Sequence, residues 1–493
     1  MAVMNSEENK VISFPTPDAV LTEKPSFKKY LRYLLFFGPG AVLASMTIGQ
    51  GQLILGPQIG AWSGYGLMWL ITINISSYVI AYISIRFTMI SGISFMDILA
   101  LKTRKGWFNW LIIIIMAIFL PMFTASIITT LGQSLAWILG LPYETYVVLG
   151  IFTCLIAGLL VIFGRYRFLE NVQAFFVVVL GVGAVISAFF IIQKFNPDFL
   201  EIIANLFAIG NVPDYPSWVP LESSRTPAPL LMTGYLGTLT ITLIPLVSYL
   251  GWIKVKKWGI FKDKKNPESF EEERFLIFKK SGKISYLPNE KSEIKKCKKL
   301  LRPLQIDLSL AFIIVSVVSF SYILAGKFLL GIQEDGSILL PTDIDLVKTQ
   351  AVIFTQFSDW LEPLYKISVF FALFGTVYAG FEAATRMLFE TSKHLIKRVN
   401  KIAYKRFMLY IMILILSSGI PISILMYNGL SVMLVLSLTL LFLGVIGVII
   451  FGIGSIYMTQ KILPQKYKLN SFNLILAIGF LLLFTVPLIF IFL

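Results

Sequence analysis

The sequence predicts an all-α polytopic membrane protein of about 11 transmembrane helices, built as a five-plus-five inverted repeat whose first and sixth helices are broken. Three observations predict it. Only 14% of the 493 residues are charged and 57% are hydrophobic, where a soluble domain carries about 25% charged residues. Apolar runs of roughly 20 residues, each long enough to cross about 30 Å of hydrocarbon, recur along nearly the whole chain. Two of those runs, five spans apart, carry helix-breaking residues at their centres, the placement of a binding site between two inverted halves. The repeat rests on hydropathy and breaks, since the halves show no clear similarity residue by residue.

The spans fall at roughly 31–60, 65–90, 107–133, 146–163, 169–192, 229–252, 306–331, 365–392, 406–426, 429–459 and 470–492. Charge then orients them. Lys24, Lys28 and Lys29 precede the first span, and Lys102, Arg104 and Lys105 follow the second. Arg165 and Arg167, then the run from Lys393 to Arg406, then Lys461, Lys466 and Lys468 occupy further alternate connections. The intervening connections are acidic, with Asp198, Glu201, Asp214 and Glu222 in one and Glu334, Asp335, Asp343, Asp345, Asp359 and Glu362 in another. The positive-inside rule then places the N-terminus in the cytoplasm and the C-terminus outside, in the cell membrane. The same placement argues against nucleic acid as the partner of the +15 net charge; the lipid bilayer is the expected one.

Residues 1–30 read as a cytoplasmic tail without the basic-then-apolar pattern of a cleavable signal, so the first span is expected to direct insertion. Residues 253–303, between the sixth and seventh spans, read as a solvated basic loop whose lysines sit near anionic headgroups. Cys154 lies in an apolar span and Cys297 in that loop, so neither a disulfide framework nor a cysteine metal site is expected.

The first span holds Gly49-Gln50-Gly51-Gln52, then Gly56-Pro57 and Gln58. Glycine takes backbone angles that other residues avoid, and proline cannot donate the next helical hydrogen bond. Backbone freed inside a bilayer is tolerated only where it meets protein or lines a cavity. The sixth span offers Thr238, Thr240 and Thr242 before Ile244-Pro245, then Ser248 and Gly251. The candidate substrate-binding set is therefore Gly49, Gln50, Gly51, Gln52, Thr242, Ile244, Pro245 and Ser248. The competing structural reading is that small residues simply let helices pack closely.

Ionisable groups within spans are functional candidates by default. Glu382 and Arg386 lie four apart with Glu390 one turn on, in the order that favours a same-face pair. Asp307 opens the seventh span and Glu170 the fifth, where a carboxylate at a helix N-terminus is favourable without any transport role. These four, Glu382, Arg386, Asp307 and Glu170, are candidates for coupling or gating, or for structural pairing. Nucleophile elbows, HExxH, metal-spaced Cys/His clusters and Walker loops are absent from the sequence, so neither an enzyme nor an ATP-driven pump is expected, and no cofactor.

Gly38-Pro39-Gly40-Ala41-Val42-Leu43-Ala44-Ser45, then Gly60-Ala61 and Gly64-Tyr65-Gly66 with Leu67-Met68-Trp69, resembles the opening of NRAMP divalent-metal transporters. Arg86, Ser91-Gly92 and Gly164-Arg165-Tyr166-Arg167-Phe168-Leu169-Glu170 continue the likeness, which extends over roughly residues 31–460. The resemblance implies a LeuT-type fold and alternating access. It also shows departures. The family carries Asp-Pro-Gly-Asn at the first break, where this chain has Gly49, Gln50, Gly51 and Gln52. The family's Met-Pro-His in the sixth helix becomes Ile244-Pro245-Leu246.

The anionic, thioether and histidine groups of that motif are thus missing, and what is left to touch a metal is Gln52 first, then Gln50, threonine hydroxyls and freed carbonyls. A thioether favours softer transition metals, while oxygen-only sites suit Mg²⁺ or Ca²⁺, and Mg²⁺ keeps several waters. The expected function is secondary transport of a small ion, a hard divalent cation before Mn²⁺ or Fe²⁺. Carriage of a neutral or anionic organic solute on the same fold, or a non-transporting receptor role, are the alternatives. With Leu246 at the histidine's place, passive transport is expected over proton symport.

Overall fold

The computed structural model describes residues 11–163, 166–343, 345–356, 358 and 360–492. Arg165 and Asp359 lie outside the described residues, as do the side chains of Gln50, Arg167 and Glu170. Among the described residues, 9 helices are long and apolar enough to cross a membrane. The helix Tyr166–Phe195 supplies the fifth span. The first span is composite and begins at Pro39, later than the apolar run suggests. Gly38 turns the chain there, so that the segment Phe27–Phe36 meets Pro39–Gly49 at 70°.

Two helix groups pack around the first span. Its second half lies against the seventh span, Arg302–Leu329, so closely that a Cβ on Gly60 would sit 2.1 Å from the Ile323 carbonyl oxygen, and one on Gly326 2.0 Å from that of Pro57. The third and fourth spans, Trp107–Leu139 and Tyr146–Phe163, pair in the same way through Gly132 and Gly150. Small residues that admit a neighbouring backbone are how membrane helices gain contact without a hydrophobic driving force.

Asp307 fixes where the first span starts. Its own helix begins at Arg302, so it sits in the second turn and does not open that helix. Its carboxylate instead accepts the Gly38 and Gly40 N–H groups at 2.8 and 2.7 Å, and the Tyr249 hydroxyl from the sixth span. The first N–H groups of a helix have no partner within it, and an anion there also meets the positive end of the helix dipole. The carboxylate therefore caps a helix other than its own, and Gly40 leaves the room it needs.

Residues 253–303 are not a solvated loop. They fold into helices Pro267–Ser281 and Lys291–Leu300, with Phe275, Phe278, Tyr286, Leu287 and Cys297 buried. The tail docks across them. Ile12 N–H donates to the Tyr286 carbonyl at 3.0 Å, Phe14 N–H to the Glu293 carboxylate at 2.7 Å, and Lys262 to the Thr16 carbonyl at 2.7 Å. Apolar anchors hidden among lysines made this layer read as polar loop. The opposite, acidic end of the bundle carries a short hairpin, Gly331–Ile332 paired antiparallel with Ile338–Leu339.

Replacing Asp307 with Ala should leave two buried N–H groups and a tyrosine hydroxyl without an acceptor. The expected loss is about 2–4 kcal/mol, measured as a drop in the thermal unfolding midpoint of the purified protein; Asp307→Asn should retain part of it.

Candidate functional site

The two breaks take different forms. In the first span, Pro39–Met46 runs into a π-helical segment, Thr47–Gln52, and on into Leu53–Ser63. The helix is widened at Gly49–Gln52 and does not unwind; π segments inside α-helices often mark functional sites. Pro57 sits inside the helix that follows. In the sixth span the helix Ala228–Leu239 stops, Thr240 and Thr242 adopt extended angles, and a new helix, Leu243–Val255, begins. The break thus precedes Pro245. The proline stands in the first turn of the second half, where a missing N–H costs nothing because that N–H would have no helical partner.

One freed donor of the break has its partner on a neighbouring helix. Ile241 N–H donates to the Ser77 hydroxyl at 3.3 Å. The tenth span has its own π segment, Leu441–Ile446, and the Gly444 carbonyl there accepts the Thr240 hydroxyl at 3.0 Å.

Between the π segment and the break lies a cavity with room for about 40 Å³ of water. Gly51, Thr242, Ile244 and Pro245 line it, as the sequence led us to expect of a shared hollow. Gln52 and Ser248 do not. Gln52 is fully buried and ties the spans together, its amide N–H donating to the Thr238 hydroxyl at 3.1 Å and its oxygen accepting from Tyr235 at 3.4 Å. The Ser248 hydroxyl lies against the Ile244 carbonyl at 2.7 Å and the Ala383 carbonyl of the eighth span at 2.6 Å. Gly49 packs on the eighth span, where an added Cβ would stand 1.9 Å from the Thr376 hydroxyl oxygen.

Sequence reasoning missed other walls: Met46 just before the π segment and Thr47 at its start, Phe123 from the third span, and Leu436, Leu440 and Leu443 from the tenth. Met46 brings a thioether side chain to the wall from the first span. Gly237 and Gly444, which pass within contact of each other's backbone, were the legible sign that the tenth span closes on the sixth.

The polarity of the cavity follows from where its hydroxyl protons go. Thr47 donates to the Leu43 carbonyl at 2.9 Å, Thr238 to Tyr235 at 2.7 Å, and Thr240 to Gly237 at 3.1 Å or Gly444. Each proton is spent on a backbone carbonyl. These three leave a guest only oxygen lone pairs, while the Thr242 hydroxyl, also on the wall, is not tied in this way.

Glu382 and Arg386 form the expected same-face pair, 2.6 Å apart, with Trp252 donating to the carboxylate at 3.1 Å. Gly251 makes room for the arginine. Glu390 belongs to a different group at the basic end of the bundle. Lys254, at the end of the sixth span, meets Glu271 at 2.8 Å and Glu390 at 2.7 Å. Lys393 meets Glu271 at 2.7 Å, Glu390 at 2.9 Å and Asp97 at 3.4 Å. Burial opposes the charge on Lys393, yet the surrounding carboxylates hold its ammonium well above the usual lysine range. Charged residues at the tips of apolar spans were the signal for this cluster; its partners on the 253–303 segment were not readable.

The fold and the site define a multi-span membrane transporter of the LeuT type. The chain matches the family model described as natural resistance-associated macrophage protein-like (Nramp) over residues 40–493, and it belongs to that family. It is similar in fold to crystal structures of the Eremococcus coleocola manganese transporter, in a mutant form and in complex with an aromatic bis-isothiourea substituted compound. Each is 15% identical with a TM-score of 0.60, covering 98% of this chain and 90% of that one. No curated protein matches the chain.

Gly49→Ala should destabilise the fold by about 1–3 kcal/mol through overlap with Thr376. Adding Thr376→Ala should return most of that loss, a coupling that a double-mutant cycle in thermal unfolding would read.

Proposed function

We propose that the chain carries a divalent metal cation across the cell membrane by alternating access, with its N-terminus cytoplasmic and its C-terminus outside. The cation occupies the cavity between the π segment and the sixth-span break, and it is a hard ion such as Mg²⁺ that stays largely hydrated. One observation carries this reading. Three of the cavity's four hydroxyl protons are consumed by backbone carbonyls, so Thr47, Thr238 and Thr240 offer only acceptors, and Thr242 alone keeps a proton to donate. Acceptors suit a cation or the protons of its waters, and they do not suit an anion.

Size and charge refine the choice. Room for about 40 Å³ of water holds roughly three water molecules. That is too little for an amino acid, an organic acid or a fully hydrated ion in this conformation, so size alone does not choose between them and the acceptor-rich wall does. The absence of a carboxylate at Gly49–Gln52 removes the group that best offsets a cation's lost hydration, which supports weak binding of a hydrated ion. Mg²⁺ keeps several waters in its sites, and the cavity must widen as the helix groups rock to admit them. The Met46 sulfur adds a soft donor without charge. Membership of a transporter family, and a fold shared with a protein described as a manganese transporter, support the metal class.

Uptake of Mg²⁺ and Mn²⁺ into proteoliposomes tests it. Thr242→Val, which keeps the volume and removes the hydroxyl, should raise KM about five- to tenfold, as expected for one lost oxygen contact of about 1 kcal/mol. Met46→Leu should leave Mg²⁺ uptake unchanged. Intact protein that moves neither ion would refute the cation reading.

A further inference from the structure

The charge cluster at the cytoplasmic end does not balance. Asp97, Glu271 and Glu390 supply three carboxylates, against two ammonium groups from Lys254 and Lys393. All five side chains are at most 6% exposed. The adjoining Arg386–Glu382 pair adds one charge of each sign, and Glu268, which also reaches Lys254, is more than half exposed. An uncompensated charge in a dry interior is expensive enough that such groups neutralise instead. No group of three or more His, Cys, Asp or Glu among the described residues could hold a metal ion there.

The deficit has a location. Lys254 is engaged by both Glu271 and Glu390, and Lys393 sits closer to those two than to Asp97. Asp97 Oδ2 accepts no hydrogen bond, standing 3.4 Å from Lys393 Nζ and 3.6 Å from Nε2 of His394, the single histidine of the chain; Glu271 Oε1 also accepts none, but its carboxylate is held at 2.8 and 2.7 Å by both lysines. We infer that Asp97 is an exchangeable proton site, taking one proton from the cytoplasm when the inner ends of the helices close and returning it to the cytoplasm when they part.

The parting follows from which elements the cluster joins. Asp97 comes from the helix Phe95–Lys102, Lys254 from the sixth span, Glu271 and Glu268 from the helix Pro267–Ser281, and Glu390, Lys393 and His394 from the eighth span and its end. Lys279 faces His394 from the same cytoplasmic helix. A cavity of about 490 Å³ already reaches in beside the cluster between Ser269 and Asn400. An inward path that separates the sixth span from the eighth wets Asp97, and a wetted aspartate returns to the ordinary carboxylate range near 4.

Burial holds Asp97 well above that range while the cluster is closed, and burial with Lys393 beside it pushes His394 down to about 4. The sign is then fixed. Above the ordinary histidine value near 6.5, where His394 is neutral in both forms, the closed form binds one more proton than the open form, so the closed-to-open ratio falls up to tenfold per pH unit as pH rises; below it the wetted imidazole of the open form takes a proton too, and the two cancel.

The inference rests on the carrier reading for what the closure does, and its test uses no cargo. Ser269→Cys/Asn400→Cys protein in nanodiscs would be spin-labelled; the native Cys154 and Cys297 are both buried. Pulsed electron–electron resonance would read the short- and long-distance populations from acid to alkaline pH. The expected result, from alkaline pH down to about 6.5, is a short-distance population that grows as pH falls, with a ratio changing up to tenfold per unit, and an Asp97→Asn background that is short and flat over the same range. Infrared difference spectra of the unlabelled protein should show a protonated-carboxyl band at neutral pH that Asp97→Asn removes. His394→Gln should keep the pH slope. Populations indifferent to pH, the same slope in Asp97→Asn, loss of slope in His394→Gln, or no such band would each overturn the assignment. Loss of ion flux alone would count against the carrier reading and leave these results standing.

Discussion

Everything at the centre of this molecule depends on how closely the first and sixth spans approach. At Gly51 an added Cβ would stand 2.4 Å from Thr238 Cβ, and one residue on, Gln52 bonds the same threonine. Contact that tight leaves the first helix no space for side chains on that face. It also seats the π segment directly against the sixth-span break. The π segment widens one helix, the break interrupts the other, and the cavity is what their mismatch leaves.

The chemistry of the cavity follows from the same geometry. Interrupted helices present carbonyls that need donors, and threonine hydroxyls in the preceding turn supply them. Once those protons are committed, the threonine oxygens can only accept. A family whose usual motif puts a carboxylate at this point has here a ring of neutral oxygens with one thioether at its edge. At Gly49 an added Cβ would overlap the Thr376 hydroxyl, so the present packing admits no side chain there.

Much of this was readable in the chain. Hydropathy and alternating charge gave the spans, and the glycine and threonine clusters marked both interruptions. The details lay outside sequence because they depend on neighbours. Pro245 read as the breaking residue, yet the break precedes it, since a proline is comfortable in a first helical turn and the threonines carry the turn itself. Gln52 read as a ligand because it was the polar side chain at the aligned position, and it is instead a strut between helices. Asp307 read as the cap of its own helix and proves to cap another, 269 residues upstream at Gly38. Met46 gave no signal, because an apolar residue in an apolar span looks the same whether it faces lipid, protein or a cavity. The buried charges of residues 253–303 were hidden by the lysines around them.

Crystals soaked in Mn²⁺ and measured at its absorption edge would put the central claim to its most direct test, since anomalous scattering locates the ion without reference to flux. A peak among Thr47, Thr240 and Thr242, beside Met46, is the expected result. A peak elsewhere in the bundle, with that cavity empty at saturating Mn²⁺, would contradict it.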